Sequence, residues 1–173
     1  IERYPRINRT ARRIAAVSFL LLFAGIPIEA QELRARVTKV IDGDTVEVSR
    51  LGRVRLHGVD APELAQPYGE EARRYLTSLL EERMVVLVVT DRDRYGRYVA
   101  WLELPDGRRV QELLLLAGLA WWYQRYAPEE ESLAAAEAAA RRDNRGLWAA
   151  GNPTPPWEWR SNRRSGLEPG TVD

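Results

Sequence analysis

Three short, β-branched runs joined by very tight turns constrain this chain more than any other feature. Residues 32–41 alternate, with Leu33, Ala35, Val37 and Lys39 on one face and Arg34, Arg36, Thr38 and Val40 on the other. That is the period-two pattern of a half-buried strand. Asp42-Gly43-Asp44 leaves room only for a tight turn, where glycine is expected to supply backbone freedom. A second strand follows over 45–49, and Leu51-Gly52 turns the chain into a third over 53–59. Strands joined this closely pair as antiparallel neighbours, because a parallel pair needs a crossover of about a dozen residues or more.

The remaining pattern completes a small domain. Ala61-Pro62 breaks the third strand, and 69–82 has helical spacing, with Ala72, Tyr75, Leu76, Leu79 and Leu80 on one face. The apolar run 84–89 reads as a strand buried on both sides, 91–96 as a charged loop and 97–104 as a fifth strand. A short helix over 110–117 closes at Gly118. Residues 129–142 are alanine-rich, with acids first and arginines last, as a helix dipole favours. This order predicts an α+β domain with a mainly β core, a five-stranded OB-fold Greek-key barrel with three helices. The domain is expected over 31–148. The Pro-, Trp- and Arg-rich stretch 149–173 reads as an irregular tail, mobile at its end.

Residues 1–30 differ from the rest. Five arginines (Arg3, Arg6, Arg9, Arg12, Arg13) face Glu2 and Glu29, a net of +3, and an apolar run over 14–26 follows. A basic start, an apolar middle and a small residue near Ala30 describe a secretory signal peptide. The run is shorter than the roughly 18 apolar residues a membrane span needs. The chain is therefore expected to be exported, periplasmic or secreted, and membrane-anchored if the leader is uncut. Since the whole chain carries +1, the part after the leader carries −2. No global charge draws it to a polyanion, so any attraction must be local. Lys39 is the only lysine, so the other 25 of the 26 cations are arginines, suited to two-point contact with phosphate. With no cysteine, disulfides and thiolate metal sites are excluded.

The chemistry-bearing residues lie at the turns. Asp42, Asp44, Asp60 and Glu63 fall at the ends of neighbouring antiparallel strands, where Asp44 and Asp60 repel each other unless a cation bridges them. Hard cations take such oxygen ligands. Arg55 precedes Asp60 and Arg97 opens the fifth strand. Carboxylates, a metal and arginines together suit phosphodiester cleavage. Taken singly, Asp42-Gly43-Asp44 is also a plain Asx turn, and Arg53, Arg92 and Arg94 are ordinary surface cations. His57, the sole histidine, has no assigned role. An aspartyl-phosphate phosphatase would need a parallel sheet and a later lysine. An EF-hand would need glycine where Glu47 stands.

Four co-linear motifs resemble the staphylococcal nuclease family: Val40-Ile41-Asp42-Gly43-Asp44-Thr45-Val46, residues 54–63, Asp93-Arg94-Tyr95-Gly96-Arg97 and Asn144-Arg145-Gly146-Leu147-Trp148. The resemblance implies Ca²⁺-dependent cleavage of DNA and RNA at the 5′ P–O bond. By position it makes Asp44, Asp60 and the backbone carbonyl of Ala61 the calcium ligands, with Asp42 in an outer shell. Glu63 would position or deprotonate the attacking water, and Arg55 and Arg97 would hold the scissile phosphate. Arg94, Tyr95 and Tyr126 would contact substrate, single-stranded DNA or RNA. Ala61 stands where the type member has threonine, and Gln124 where it has a tyrosine. Trp121 and Trp122 suit core packing or base stacking. No stable protein partner is implied, and a monomer is expected. The reading from another class is a non-catalytic OB-fold nucleic-acid-binding module, which would be expected to lack some of these acids and arginines.

Overall fold

The computed structural model describes residues 32–166, so the leader over 1–30 lies outside the described residues. Strand β1 (Glu32–Val40) sends Ala35 and Val37 inward. Between Val37 and Lys39 its register against the next strand shifts, and Val40 turns inward too, with 4% exposure. A bulge re-aims the residues after it, which strict alternation could not show.

Strands β2 (Thr45–Val48) and β3 (Gly52–Leu56) complete the antiparallel meander, Thr45 facing Arg55. The third strand is shorter than expected. Gly58, at φ 69°, swings the chain out of the sheet, and β4 (Val59–Asp60) pairs separately with a late strand, Trp121–Trp122. Helix α1 (Gly69–Leu80) buries Ala72, Leu76 and Leu80, four residues apart and so on one face.

Strand β5 (Met84–Arg92) pairs with β1, and β6 (Tyr98–Glu103) pairs antiparallel with β5 and parallel with β3. The barrel closes in the order β1-β2-β3-β6-β5. This is the α+β, five-stranded barrel the sequence predicts. Strand β5, however, is not buried on both sides. Val85 and Leu87 point inward, while Met84 is 47% and Val89 38% exposed. A barrel strand has one inner face, so its second apolar row meets solvent or covering side chains. The strand also runs on to Arg92, which reduces the charged loop to a turn.

Helix α2 (Val110–Leu116) buries Leu114 and Leu115 in the core, each worth roughly 2 kcal/mol. Buried Gln111 ties it to β6, donating to the Ala100 carbonyl at 2.9 Å and accepting from the Leu102 N–H at 3.3 Å. Strand β7 (Trp121–Trp122) leads to α3 (Glu131–Arg142), which ends before a 3₁₀ turn, Gly146–Ala150.

Among the described residues there are four α-helices rather than three. The tail expected to be irregular contains α4 (Pro156–Arg164), with proline in its first turn, where a fixed φ suits helix entry and no N–H is missed. Trp157 of α4 stacks on Tyr123, ring centroids 5.3 Å apart and planes 3° from parallel. Trp121 is buried and meets both Trp148 and Trp157 edge-on, which settles its role as packing. Among the described residues no helix is long and apolar enough to cross a membrane.

One close approach holds α2 to the end of α3. Gly118, at φ 69°, lies so near the next segment that a Cβ there would stand 2.1 Å from the Arg145 carbonyl oxygen. Gly118→Ala is expected to cost about 3 kcal/mol, from the left-handed backbone and the backbone clash together, read as a lower urea midpoint.

Candidate active site

The site grows from the register of three strands. Thr45 faces Arg55, Arg55 faces Val99, and the Leu56 N–H donates to the Asp44 carbonyl at 2.8 Å. The start of β2, the end of β3 and the start of β6 therefore meet at one end of the barrel. Val54 and Leu56 enter the core, so Arg55 between them projects from the other face of β3.

The first turn does two jobs. Asp42 makes the Asx turn, its Oδ1 accepting the Asp44 N–H at 3.0 Å. Asp44 is left for the cluster, and its Oδ2 accepts the Ala61 N–H at 2.9 Å. Gly43 is needed for space rather than for conformational freedom, since its φ is not positive. A Cβ on Gly43 would lie 2.6 Å from the Ala61 Cβ and 2.8 Å from that of Ala72. The bare Gly43 thus lets the first acidic turn press against the second and against α1.

Arg55 joins the two turns. Its Nη1 donates to Asp44 Oδ1 at 2.8 Å and its Nη2 to Asp60 Oδ1 at 2.7 Å, with a further bond to the Val59 carbonyl. Asp60 is fully buried and Asp44 is 5% exposed. Burial would lower the Arg55 pKa, but Asp44 and Asp60 outweigh it and raise it above its ordinary value. Burial first, and Asp44 second, push the Asp42 carboxyl up to about 6. Burial also pushes Asp60 upward, opposed by the two arginines that grip it.

Glu63 stands at the edge of this cluster, 41% exposed in its side chain. Its turn is fixed by Gln66, which accepts the Glu63 N–H through Oε1 and donates its own N–H to the Glu63 carbonyl. A Cβ on Gly69 would meet that carbonyl oxygen at 2.0 Å, so glycine at the start of α1 lets the Glu63 turn sit down.

Arg97 approaches from the 93–97 turn. Asp93 holds it, Oδ2 accepting from Nε at 2.7 Å, and its Nη1 reaches Thr45 Oγ1 at 3.4 Å. Burial opposes ionisation of Asp93, but the bonds from Arg97 win and hold its pKa below the usual carboxylate value. Arg94 and Arg97 both lie over the Tyr95 ring, at 4.9 and 5.6 Å, and Tyr95 is 70% exposed. Tyr126 is exposed and packs on Tyr123, on the side where α4 lies. His57 sits between Thr90, Glu130 and Trp101, apart from the carboxylates.

Two residues of the cluster escape sequence reasoning. Arg160 of α4 donates from Nη2 to Asp60 Oδ2 at 2.7 Å, and from Nη1 to Asp60 Oδ1 at 3.2 Å and Glu63 Oε1 at 2.8 Å. It is 100 residues from Asp60 in the chain, a separation no local pattern reports. Gln66, 6% exposed, also donates to the Thr154 carbonyl just before α4. Its burial is decided by that contact with the segment before α4, which no local pattern reports.

Among the described residues no three acidic or histidine side chains form a preassembled metal cage. Arginines stand between the carboxylates instead. The donor set still suits a hard cation: Asp44 and Asp60 are buried oxygen donors that already bind cationic groups. A surface depression of about 400 Å³ beside Arg108, Arg109 and Leu116 shares no residue with this cluster.

A family model described as staphylococcal nuclease homologue matches residues 53–150. An uncharacterized endonuclease of Escherichia coli O157:H7 is 35% identical over 150 residues, covering 85% of this chain and 97% of the relative. The staphylococcal-like nuclease CAN1 of Arabidopsis thaliana is 46% identical over 114 residues, which are 66% of this chain and 35% of that protein. Protein ParB of Escherichia coli is 35% identical over 165 residues, 87% of this chain and 93% of that one. The family match ends before α4, so Arg160 lies outside it.

Removing Arg55 would leave buried Asp44 without its cation and Asp60 with Arg160 alone. Arg55→Ala is expected to cost about 3–5 kcal/mol in urea unfolding, whereas Arg94→Ala, at the exposed turn, should stay within about 0.5 kcal/mol.

Proposed function

The chain belongs to the staphylococcal nuclease family and is a nuclease, and from that premise we propose that it is a Ca²⁺-dependent enzyme cleaving single-stranded DNA and RNA. The cut is at the 5′ P–O bond, leaving 3′-phosphate ends, and the protein acts as a monomer. The observation that carries this reading is the meeting of Asp44, Asp60, Glu63, Arg55 and Arg97 at one end of the barrel. A non-catalytic binding module would have no use for so complete a set.

Asp44 and Asp60, with the Ala61 carbonyl, would hold the ion, and Asp42 would lie behind them, bonded to the Asp44 backbone. Once bound, Ca²⁺ supplies positive charge to the phosphate and to a nearby water. Each protein group then has a distinct task. Glu63, the most exposed of these carboxylates, orients the attacking water and takes its proton as the oxygen bonds to phosphorus. Arg55 is held rigid by Asp44 and Asp60, so only its remaining N–H groups are free to meet a phosphate oxygen. Arg97 has more to offer. Its Nε is tied to Asp93, while Nη2 has no partner among the described residues. A guanidinium oriented from behind and open in front stabilises the charge that grows on phosphorus as the P–O5′ bond breaks, and can supply the proton to the departing oxygen.

Substrate on either side of the scissile phosphate would meet Arg94 and Tyr95 at the exposed 93–97 turn, and Tyr126 on the tail side. An exposed aromatic ring suits stacking on an unpaired base, which favours single strands. Export is supported by the sequence of residues 1–30, a basic stretch followed by an apolar run.

The test is cleavage of single-stranded DNA and RNA with Ca²⁺ and with chelator. Activity should require Ca²⁺. Glu63→Gln should lower kcat about 10²–10⁴-fold and Arg97→Ala about 10²–10³-fold, each with the urea midpoint little changed. A folded protein without cleavage under any divalent metal would remove the calcium mechanism.

A further inference from the structure

The C-terminal helix delivers a third arginine into the carboxylate cluster, and we propose that Arg160 is an active-site residue that competes with the divalent cation for Asp60 and Glu63. Helix α4 thereby acts as a strap that sets metal affinity. The inference rests on Asp60 being a metal ligand, as argued above.

The contacts describe occupation rather than proximity. Asp60 offers two oxygens, and both are engaged: Oδ1 accepts from Arg55 and Arg160, and Oδ2 accepts from Arg160 at 2.7 Å. The same guanidinium takes Glu63 Oε1 at 2.8 Å, so one planar cation bridges a metal-binding carboxylate and the water-activating one. A guanidinium donates and cannot share a lone pair with a metal. Three of the roughly four acceptor positions of Asp60 are thus taken, so a cation that needs the lone pairs facing α4 has to displace Arg160, as does a water that needs Glu63 Oε1.

The strap is built to seat and to release. On one side α4 is moored: Gln66, next to Glu63 in the chain fold, donates to the Thr154 carbonyl, and Trp157 stacks face to face on Tyr123. On the other side it is exposed and basic. Arg160 itself is 35% exposed, and the last turn carries Arg163 and Arg164 toward solvent. A half-exposed arginine pair can exchange partners, unlike the more enclosed pairing of Arg55, whose side chain is 19% exposed. Once released, Arg160 stands where a polyanionic strand would arrive, so substrate phosphate and metal would favour the same open state. If the free protein is mostly strapped, its apparent metal affinity falls by the fraction that is open.

Isothermal calorimetry of Ca²⁺ binding to the whole protein tests this without measuring activity. Arg160→Ala should bind Ca²⁺ about tenfold more tightly or better, and Trp157→Ala, which unmoors α4 while keeping Arg160, should shift affinity the same way. Arg163→Ala removes an equal charge from the same helix without touching the carboxylates and should stay within about twofold. A cooperative thermal transition in each variant establishes that it is folded. Equal affinity in wild type and Arg160→Ala, or a similar gain in Arg163→Ala, would overturn the strap while leaving the metal site in place, provided Asp60→Asn abolishes binding. Weaker binding in Arg160→Ala would make Arg160 an organiser of the site and overturn the competition. No Ca²⁺ binding by any variant would remove both the strap and the calcium reading.

Discussion

The two acidic turns depend on a single guanidinium. Arg55 spans Asp44 and Asp60 at 2.8 and 2.7 Å, and it is the one cation that bonds to both buried carboxylates among the described residues. Burying a carboxylate is tolerable only when it is paired and hydrogen-bonded, and here Arg55 pairs with both acids while Arg160 pairs with Asp60 as well. The pairing does not saturate the cluster. Asp42, hydrogen-bonded to the Asp44 backbone, is raised to about 6 by burial first and by Asp44 second.

The barrel makes that interaction obligatory. The parallel pairing of β3 with β6 sets Arg55 opposite Val99 and brings Arg97, two residues earlier, to the same end of the sheet. Bare glycines set the remaining distances. Gly43 lets the first turn touch Ala61, and Gly69 lets the Glu63 carbonyl rest on the start of α1. Neither uses a positive φ, so their value is the missing Cβ. Packing thus fixes the acids from behind, which is how a site becomes preorganised before any ligand arrives.

Much of this was readable in the sequence. The hairpins at Asp42-Gly43-Asp44 and Leu51-Gly52, the helices after Gly69 and before Gly118, and the co-linear acids and arginines all lie in local patterns. What local pattern could not show was anything decided by contacts distant in the chain. The bulge near Thr38 redirects Val40, Gly58 splits the third strand, and the outer row of β5 is exposed because a closed barrel has only one inside. Helix α4 was the largest omission. Its prolines, tryptophans and arginines read as tail composition, yet Pro156 starts a helix, Trp157 finds Tyr123, and Arg160 reaches Asp60. Residues 53–150, which match the family model, end before that helix.

The account stands on Asp44 and Asp60 forming one cation site bridged from behind by Arg55. A crystal structure of the protein grown with Ca²⁺ is its most direct test. The account predicts calcium density in contact with oxygens of both Asp44 and Asp60, with Arg55 still bonded to the two carboxylates. Calcium bound elsewhere, or Arg55 expelled from between the aspartates when the ion enters, would contradict it.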